Sequence, residues 1–370
     1  MLILNIAFYA FIVVVICQLF YYGIIFTKFS FAKITYPKEK NIAISVLICA
    51  KNEAKNVKKN IPLILAQKYP NFEIVLINDA SNDDTLEVMQ VFEKQNKNIK
   101  IVDVKSIETF WGNKKYALTL GIKAASNDFL LLTDADCAPI SDKWIKQMSS
   151  HFTNSKSIII GYGAYKKYKR NFLNKLIRFE TLLTATQYFS YTKLGIPYMA
   201  IGRNLSYRKA EFFNNNGFMS HMNIRSGDDD LFVNEVANSK NTALCFTKNS
   251  FTVSEPEKSF KNWFNQKRRH ISTARHYKTI HKILLGLFYL SQLLFWVLGI
   301  VLLANLFHWQ IITILVLSRF IVQYISLGNS AKKLNETDTL YILPVLELFL
   351  ILSQFFIFIS NLISKSDRWR

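Results

Sequence analysis

Residues 2–26 contain no charged side chain. An α-helix needs about 20 consecutive apolar residues to cross the hydrocarbon of a bilayer, so this stretch strongly limits what the chain can fold into. A cleaved secretory leader would carry positive charge ahead of its apolar run. Here the basic residues Lys28, Lys33, Lys38 and Lys40 follow it instead. We therefore read residues 1–27 as an uncleaved transmembrane anchor, with the N-terminus outside and the next domain in the cytoplasm.

The other end of the chain is also apolar, over residues 283–307, 311–327 and 340–363. The first and last of these read as spans. The middle one is shorter and carries Arg319 and Gln323. It reads either as a span whose polar face packs on its neighbours or as a segment lying in the interface. A basic tail from Lys365 onward suits a cytoplasmic end, which three spans after a cytoplasmic domain do not give. Residues 283–363 are thus expected to hold two or three spans of a multi-pass cell (inner) membrane protein.

The formal net charge of +20 fits a nucleic acid, an anionic membrane surface or phosphate-bearing ligands. Apolar segments at both ends favour the membrane, and no finger, basic zipper or aromatic RNA-binding signature supports nucleic acid. Cys17, Cys49, Cys137 and Cys245 have neither metal-ligand spacing nor the density of a disulfide framework. They read as reduced thiols.

Between residues 41 and 250 the pattern alternates strand and helix. Apolar runs at 44–49, 72–77, 101–104 and 129–133 alternate with helical stretches at 54–67, 83–94 and 114–125, the first containing Pro62, a potential break. This predicts an α/β domain with a largely parallel sheet. Ligands of such sheets bind beyond the carboxyl ends of the strands. Those ends carry Lys51, Asn52 and Glu53, then Asn78, Asp79, Ser81 and Asp83, then Asp134 and Asp136. Two carboxylates one residue apart can share a hard divalent cation such as Mg2+ or Mn2+. Ser81 and Asp83 also suit capping of the following helix.

On these residues the segment from Ile44 to His276 resembles the inverting family 2 glycosyltransferases, which have the GT-A nucleotide-diphospho-sugar transferase fold. Ala50-Lys51-Asn52-Glu53 is similar to the family's first nucleotide-contacting motif. Asn78 to Asp83 is similar to its acidic turn, with Asn78 in place of an acidic residue. Trp111-Gly112-Asn113-Lys114 resembles its Gly-Lys turn, and Asp134-Ala135-Asp136 its metal-binding triplet. Gly202 to Ser206 resembles the segment lining the acceptor side. Ser226 to Leu231 resembles the acidic pair whose second member is the catalytic base. That alignment puts the base at Asp229, with Asp228 and Asp230 as neighbouring registers. Gln266-Lys267-Arg268-Arg269-His270 resembles the Gln-x-x-Arg-Trp signature of membrane-bound members, the ceramide glucosyltransferase and chitin and cellulose synthase group. His270 stands where those have tryptophan.

The resemblance implies a nucleotide diphosphate sugar donor, with a uridine diphosphate sugar favoured. Asn52, Glu53, Asp79, Lys114 and Asp134 would bind it, and Asp134 and Asp136 would hold a divalent cation. Asp229 would act as base, with Gln266 and Arg269 also in the catalytic set. The expected organisation is an anchor (1–27), a GT-A domain with a mostly parallel sheet (41–257), a basic amphipathic interface helix (258–282) and C-terminal transmembrane helices (283–363). A helix over residues 171–191 reads equally as interfacial or as core. The expected activity is single transfer to a lipid or glycan acceptor at the membrane. A processive polysaccharide synthase is the alternative, and the loss of the tryptophan leans against it. A catalytically dead scaffold and a nucleotidyltransferase leave the carboxylates or the downstream motifs unexplained.

Overall fold

The computed structural model describes residues 1–105, 114–224 and 226–363. The chain forms two compact units. One comprises residues 34–166 and 195–256; the other comprises residues 1–33, 167–194 and 257–370.

The first unit is an α/β domain. Its strands are β1 (Ile44–Ala50), β2 (Phe72–Asp79), β3 (Ile99–Val104), β4 (Phe129–Asp134), β5 (Cys137–Pro139), β6 (Ile158–Ile160), β7 (Gly163–Tyr165), β8 (Leu205–Arg208), β9 (Thr242–Leu244) and β10 (Thr252–Ser254). The main sheet has the order β3-β2-β1-β4-β8-β6-β9. Only β8 runs against its neighbours β4 and β6; the other pairings are parallel. A second sheet orders β5-β10-β7.

The central strands are continuously apolar because helices cover both faces of a parallel sheet. Val46, Ile48, Ile74 and Leu76 are buried against Val57, Ile61 and Ile64 of the helix Ala54–Leu65 and against Trp144 and Met148. Full burial of each aliphatic side chain is worth roughly 1.5–3 kcal/mol over leaving it exposed. Pro62 does not break its helix, which continues to Leu65. It sits one turn from the end, where a missing N–H costs a single hydrogen bond. The register of β1 places Cys49 opposite Ile77 and Asp134. The polar tips of β1, β2 and β4 therefore lie side by side at one edge.

Among its described residues the second unit contains four helices long and apolar enough to cross a membrane: Leu2–Ser30, Thr279–Ala304, Trp309–Leu334 and Thr337–Ile363. The first includes a π-helical turn at Tyr21–Ile25. Phe11, Val15, Phe295, Leu302 and Ile312 pack together in one cluster. Arg319 and Gln323, the polar residues of the third helix, are fully buried. Arg319 donates to both carboxylate oxygens of Glu347 and to Gln18, and Gln323 donates to Glu347. Its guanidinium also lies 4.6 Å over the Phe295 ring. A charge buried among apolar helices persists only when paired and hydrogen-bonded in this way. Of the two sequence readings for this segment, the packed polar face is the one found.

Two further helices belong to this unit. Phe172–Lys193 starts with Asn171 as N-cap, and Phe260–Thr273 starts with Ser259. They meet through Glu180, which accepts from the Trp263 indole at 3.1 Å and pairs with Lys267 at 2.9 Å. Arg178 of the former is buried and binds Glu336 and Asp338.

Candidate functional site

The site lies in the α/β unit and begins with its loops. After β1 the chain enters the left-handed region at Asn52 (φ 57°), and after β2 it does so at Ala80 (φ 49°). Such conformations are uncommon away from glycine and cluster where surrounding structure imposes them. Here each loop holds the other. The Asn52 N–H donates to Ser81 Oγ at 3.0 Å, and the Asn82 N–H donates to Asn52 Oδ1 at 2.8 Å. Asp83 accepts from the N–H groups of Ala54 and Thr85. Ser81 and Asp83 thus tie the loops together; the N-cap of the following helix is Asp84, which makes no side-chain capping bond.

Asn78 has a structural duty. Its amide donates to Asp103 Oδ1 at 2.7 Å, a contact that a second carboxylate would turn into repulsion. The departure from the family pattern at this position thus has a local cause. Asp79 beside it is buried, which pushes its pKa up, with Lys51 and Lys114 opposing. Glu53 is likewise raised by burial, and by the nearby charges of Asp136, Asp134 and Asp83, while an Asn56 hydrogen bond opposes.

Lys114 opens the helix Lys114–Ala124. Its ammonium stands 2.7 Å from Asp134 Oδ1 and 3.0 Å from Asp228 Oδ2. Burial opposes that charge, but Asp134 and Asp228 outweigh it and hold the pKa well above the ordinary lysine value. One side chain therefore joins the acidic triplet after β4 to the acidic run near residue 228. The rest of the Trp111–Asn113 motif lies outside the described residues.

Asp136 is driven upward by burial and by the Asp134 charge, with Arg203 as counterweight. The ligand atoms of Asp134, Asp136 and Cys137 all lie within 4.8 Å of one another. Carboxylates this close repel each other; Lys114 and Arg203 offset part of that charge, and a divalent cation would offset the rest. The residues therefore fit a metal. Cys137 was read from the sequence only as a reduced thiol; its position next to the triplet was the available signal.

The acidic run has three distinct positions. Asp228 pairs with Lys114, which keeps its pKa below the usual carboxylate value against the cost of burial. Asp229 caps the helix Asp230–Val236. Its Oδ2 accepts from the Gly202 N–H at 2.5 Å and its Oδ1 from the Asp230 N–H at 2.7 Å. Burial, then the charges of Asp228 and Asp230, push its pKa up to about 8. Asp230 is buried, and its Oδ1 accepts from the Leu231 N–H. A Cβ at Gly202 would stand 3.3 Å from Asp229 Oδ2, a tight contact to which the carboxylate would have to yield by a few tenths of an ångström.

Arg203 was taken from the sequence as part of an acceptor-side segment. Its guanidinium lies 4.1 Å over the Tyr165 ring and donates to Ser254 Oγ at 2.5 Å and Gly163 O at 3.1 Å. Its own carbonyl accepts from Thr133 and Thr252. It thus ties β4, β7 and β10 together behind the acidic triplet.

The structure brings together Asn52, Glu53, Asp79, Lys114, Asp134, Asp136 and the run 228–230 in one unit. Gln266 and Arg269 lie half-buried on the helix Phe260–Thr273 of the other unit. Burial lowers the Arg269 pKa, with Glu257 opposing.

Comparison with known proteins agrees with this architecture. Residues 45–222 match the family model for glycosyl transferase family 2. A poly-beta-1,6-N-acetyl-D-glucosamine synthase of Staphylococcus epidermidis is 38% identical over 93 residues, which is 25% of this chain and 21% of that protein. An uncharacterized glycosyltransferase of Haemophilus influenzae is 30% identical over 115 residues, 31% of this chain and 34% of that protein. The chain thus matches about a fifth to a third of the length of these relatives. A mannosyltransferase of Pyrobaculum calidifontis, solved with GDP-Man and Mn2+, superposes with a TM-score of 0.59 at 16% identity, covering 90% of this chain and 98% of that one. That likeness establishes the fold. Residues 45–222 are accordingly similar to the family 2 glycosyltransferases and share the GT-A fold, within a chain whose described residues also include four membrane-length apolar helices.

Proposed function

We propose that the protein transfers a single sugar, with inversion, from a nucleotide diphosphate donor to a lipid or lipid-linked acceptor at the membrane. The observation that carries this reading is the Lys114 bridge, which draws Asp134 and Asp228 to one ammonium at the carboxyl edge of a parallel sheet. In the reaction an acceptor hydroxyl attacks the anomeric carbon while the bond to the diphosphate oxygen breaks. The hydroxyl proton passes to a carboxylate, and negative charge collects on the leaving diphosphate.

Asp229 is our choice of base. Two backbone N–H groups fix its orientation, and a raised pKa suits a group that must take up a proton. Asp134 and Asp136, with Cys137 adjacent, would hold the cation, which as a Lewis acid stabilises the leaving diphosphate. Lys114 neutralises charge at the same place. Asn52, Glu53 and Asp79 line the loops expected to bind the nucleotide. Gln266 and Arg269 are assigned by their motif, Arg269 as a further cation for the diphosphate. We place the catalytic domain in the cytoplasm, on the basis of the lysines that follow the first apolar helix, and the domain limits 41–257 and 258–282 stay part of this proposal.

A processive polymerase is the second reading, favoured by the identity shared with the staphylococcal synthase. Membranes containing the protein, incubated with a panel of labelled nucleotide sugars including UDP-N-acetylglucosamine, separate the two. One sugar on an extracted lipid supports single transfer, a lengthening polymer supports the synthase, and donor turnover with none of the sugars would refute both.

A further inference from the structure

The direction of each apolar helix can be read from its side-chain partners. Phe8, near the start of the first, meets Phe307 and His308 just beyond the end of the second. Tyr21, near the end of the first, donates to Leu284 O near the start of the second. These two helices run antiparallel. The third runs parallel to the first: Ile312 clusters with Phe11, Arg319 donates to Gln18, and Lys333 donates to Ser30 O. The first and third therefore end at one level, marked by Ser30, Leu284 and Lys333.

A fourth crossing would have to run away from that level, parallel to the second helix. Its contacts run the other way. Leu340 lies beside Gly328 of the third helix, and Glu347 beside Gln323 and Arg319. The chain thus folds back along the third helix to the depth of Arg319. From there Glu347 accepts from Gln292 at 2.9 Å and Ile351 O from Tyr289 at 3.4 Å. Finally Asn361 exchanges hydrogen bonds with Arg268, on the helix that precedes the second span. As residue numbers rise along the last helix, those of its partners fall. It is antiparallel to the second helix and heads back to the Ser30 level.

We propose that the last apolar helix is re-entrant: it dips to mid-depth at Glu347 and leaves by the face it entered. The chain then crosses the bilayer three times, with Met1 and Ile363 on opposite faces. Glu347 marks the deepest point, held by Arg319, Gln323 and Gln292, because a carboxylate is tolerated at that depth only with such partners. The exposed Phe349, Phe356, Phe358 and Leu362 give this helix an apolar face for the acyl chains of a single leaflet. This arrangement also removes the conflict between a cytoplasmic basic tail and three C-terminal spans. It stands whether or not the protein transfers sugar.

The test is single-cysteine labelling of the full chain in sealed vesicles with a membrane-impermeant maleimide, with the native protein as baseline. Tyr341→Cys, at a position 85% exposed, and Leu362→Cys, at one 72% exposed, flank the last helix. Both are expected to label from the same face, that opposite an N-terminal tag. Labelling from opposite faces would overturn the proposal. Fusion of an orientation reporter after Arg370 is a second measurement that needs no substitution: N- and C-terminal reporters on the same face would also overturn it.

Discussion

Lys114→Met removes the ammonium that joins Asp134 to Asp228 and leaves the shape of the site nearly unchanged. Its distances of 2.7 and 3.0 Å to the two carboxylates put their oxygens within about 6 Å of each other, where two unit charges repel by roughly 3 kcal/mol at an effective dielectric of 20. The three side chains are 14–31% exposed, so water screens part of this, and about half, ~1.4 kcal/mol or roughly tenfold in affinity, is a reasonable remainder. In the variant a divalent cation meets two unneutralised carboxylates and no competing ammonium. Mn2+ is therefore expected to bind the donor-free protein roughly tenfold more tightly than it binds wild type, while turnover falls by about 100-fold or more with loss of a preorganised cation. Electron paramagnetic resonance of free Mn2+ during titration measures the first, and release of nucleotide diphosphate measures the second. Unchanged or weaker Mn2+ binding, with the fold intact by circular dichroism, would refute the shared-field argument.

Asp229→Asn is expected to keep donor binding and lower turnover by roughly 100-fold or more. In wild type, with the Asp229 carboxyl pushed up to about 8, kcat/KM should climb as pH rises through that value, since a base must be ionised; a profile flat from pH 6 to 9 would instead point to Asp228, whose pKa is lowered. Gly202→Ala places a methyl 3.3 Å from Asp229 Oδ2, and the few tenths of an ångström it forces should cost about tenfold in kcat with little change in melting temperature; equal activity would show that the position of Asp229 is not critical. Arg178→Met strips Glu336 of its main partner, at roughly 3–5 kcal/mol for a broken buried pair. The Glu336 pKa is raised to about 7, by burial more than Arg178 lowers it; the folded state therefore holds its proton more tightly than the unfolded state, and stability falls as pH rises from the unfolded value near 4.5 through 7. Removing Arg178 extends that fall, so the loss of melting temperature should be larger at pH 8 than at pH 6; a pH-independent loss would contradict it.

Much of the α/β domain was legible because its signals are local. Buried parallel strands are short apolar runs, and the residues following them must lie at one edge, so Asn52, Asp79, Asp134 and Asp136 could be grouped before any coordinates. Other features depended on residues far apart in the chain. Asn78 in place of a carboxylate made sense only once Asp103 was found beside it. The three aspartates at 228–230 could not be told apart along the chain; one meets Lys114, one meets Gly202 and one turns back on its own helix. Residues 167–194 pack in the unit with the apolar helices, where the ion pairs of Arg178 reach residues 336 and 338.

By itself the sequence determined which segments are apolar enough for lipid, where strands and helices alternate, and which carboxylates sit at strand tips, since each follows from the chemistry of neighbouring residues. Tertiary structure alone decided which charges share a partner and which way each apolar helix runs. Hydropathy measures only a segment's preference for lipid, whereas its direction is set by contacts such as Glu347 with Arg319 and Asn361 with Arg268, which join residues up to 93 positions apart.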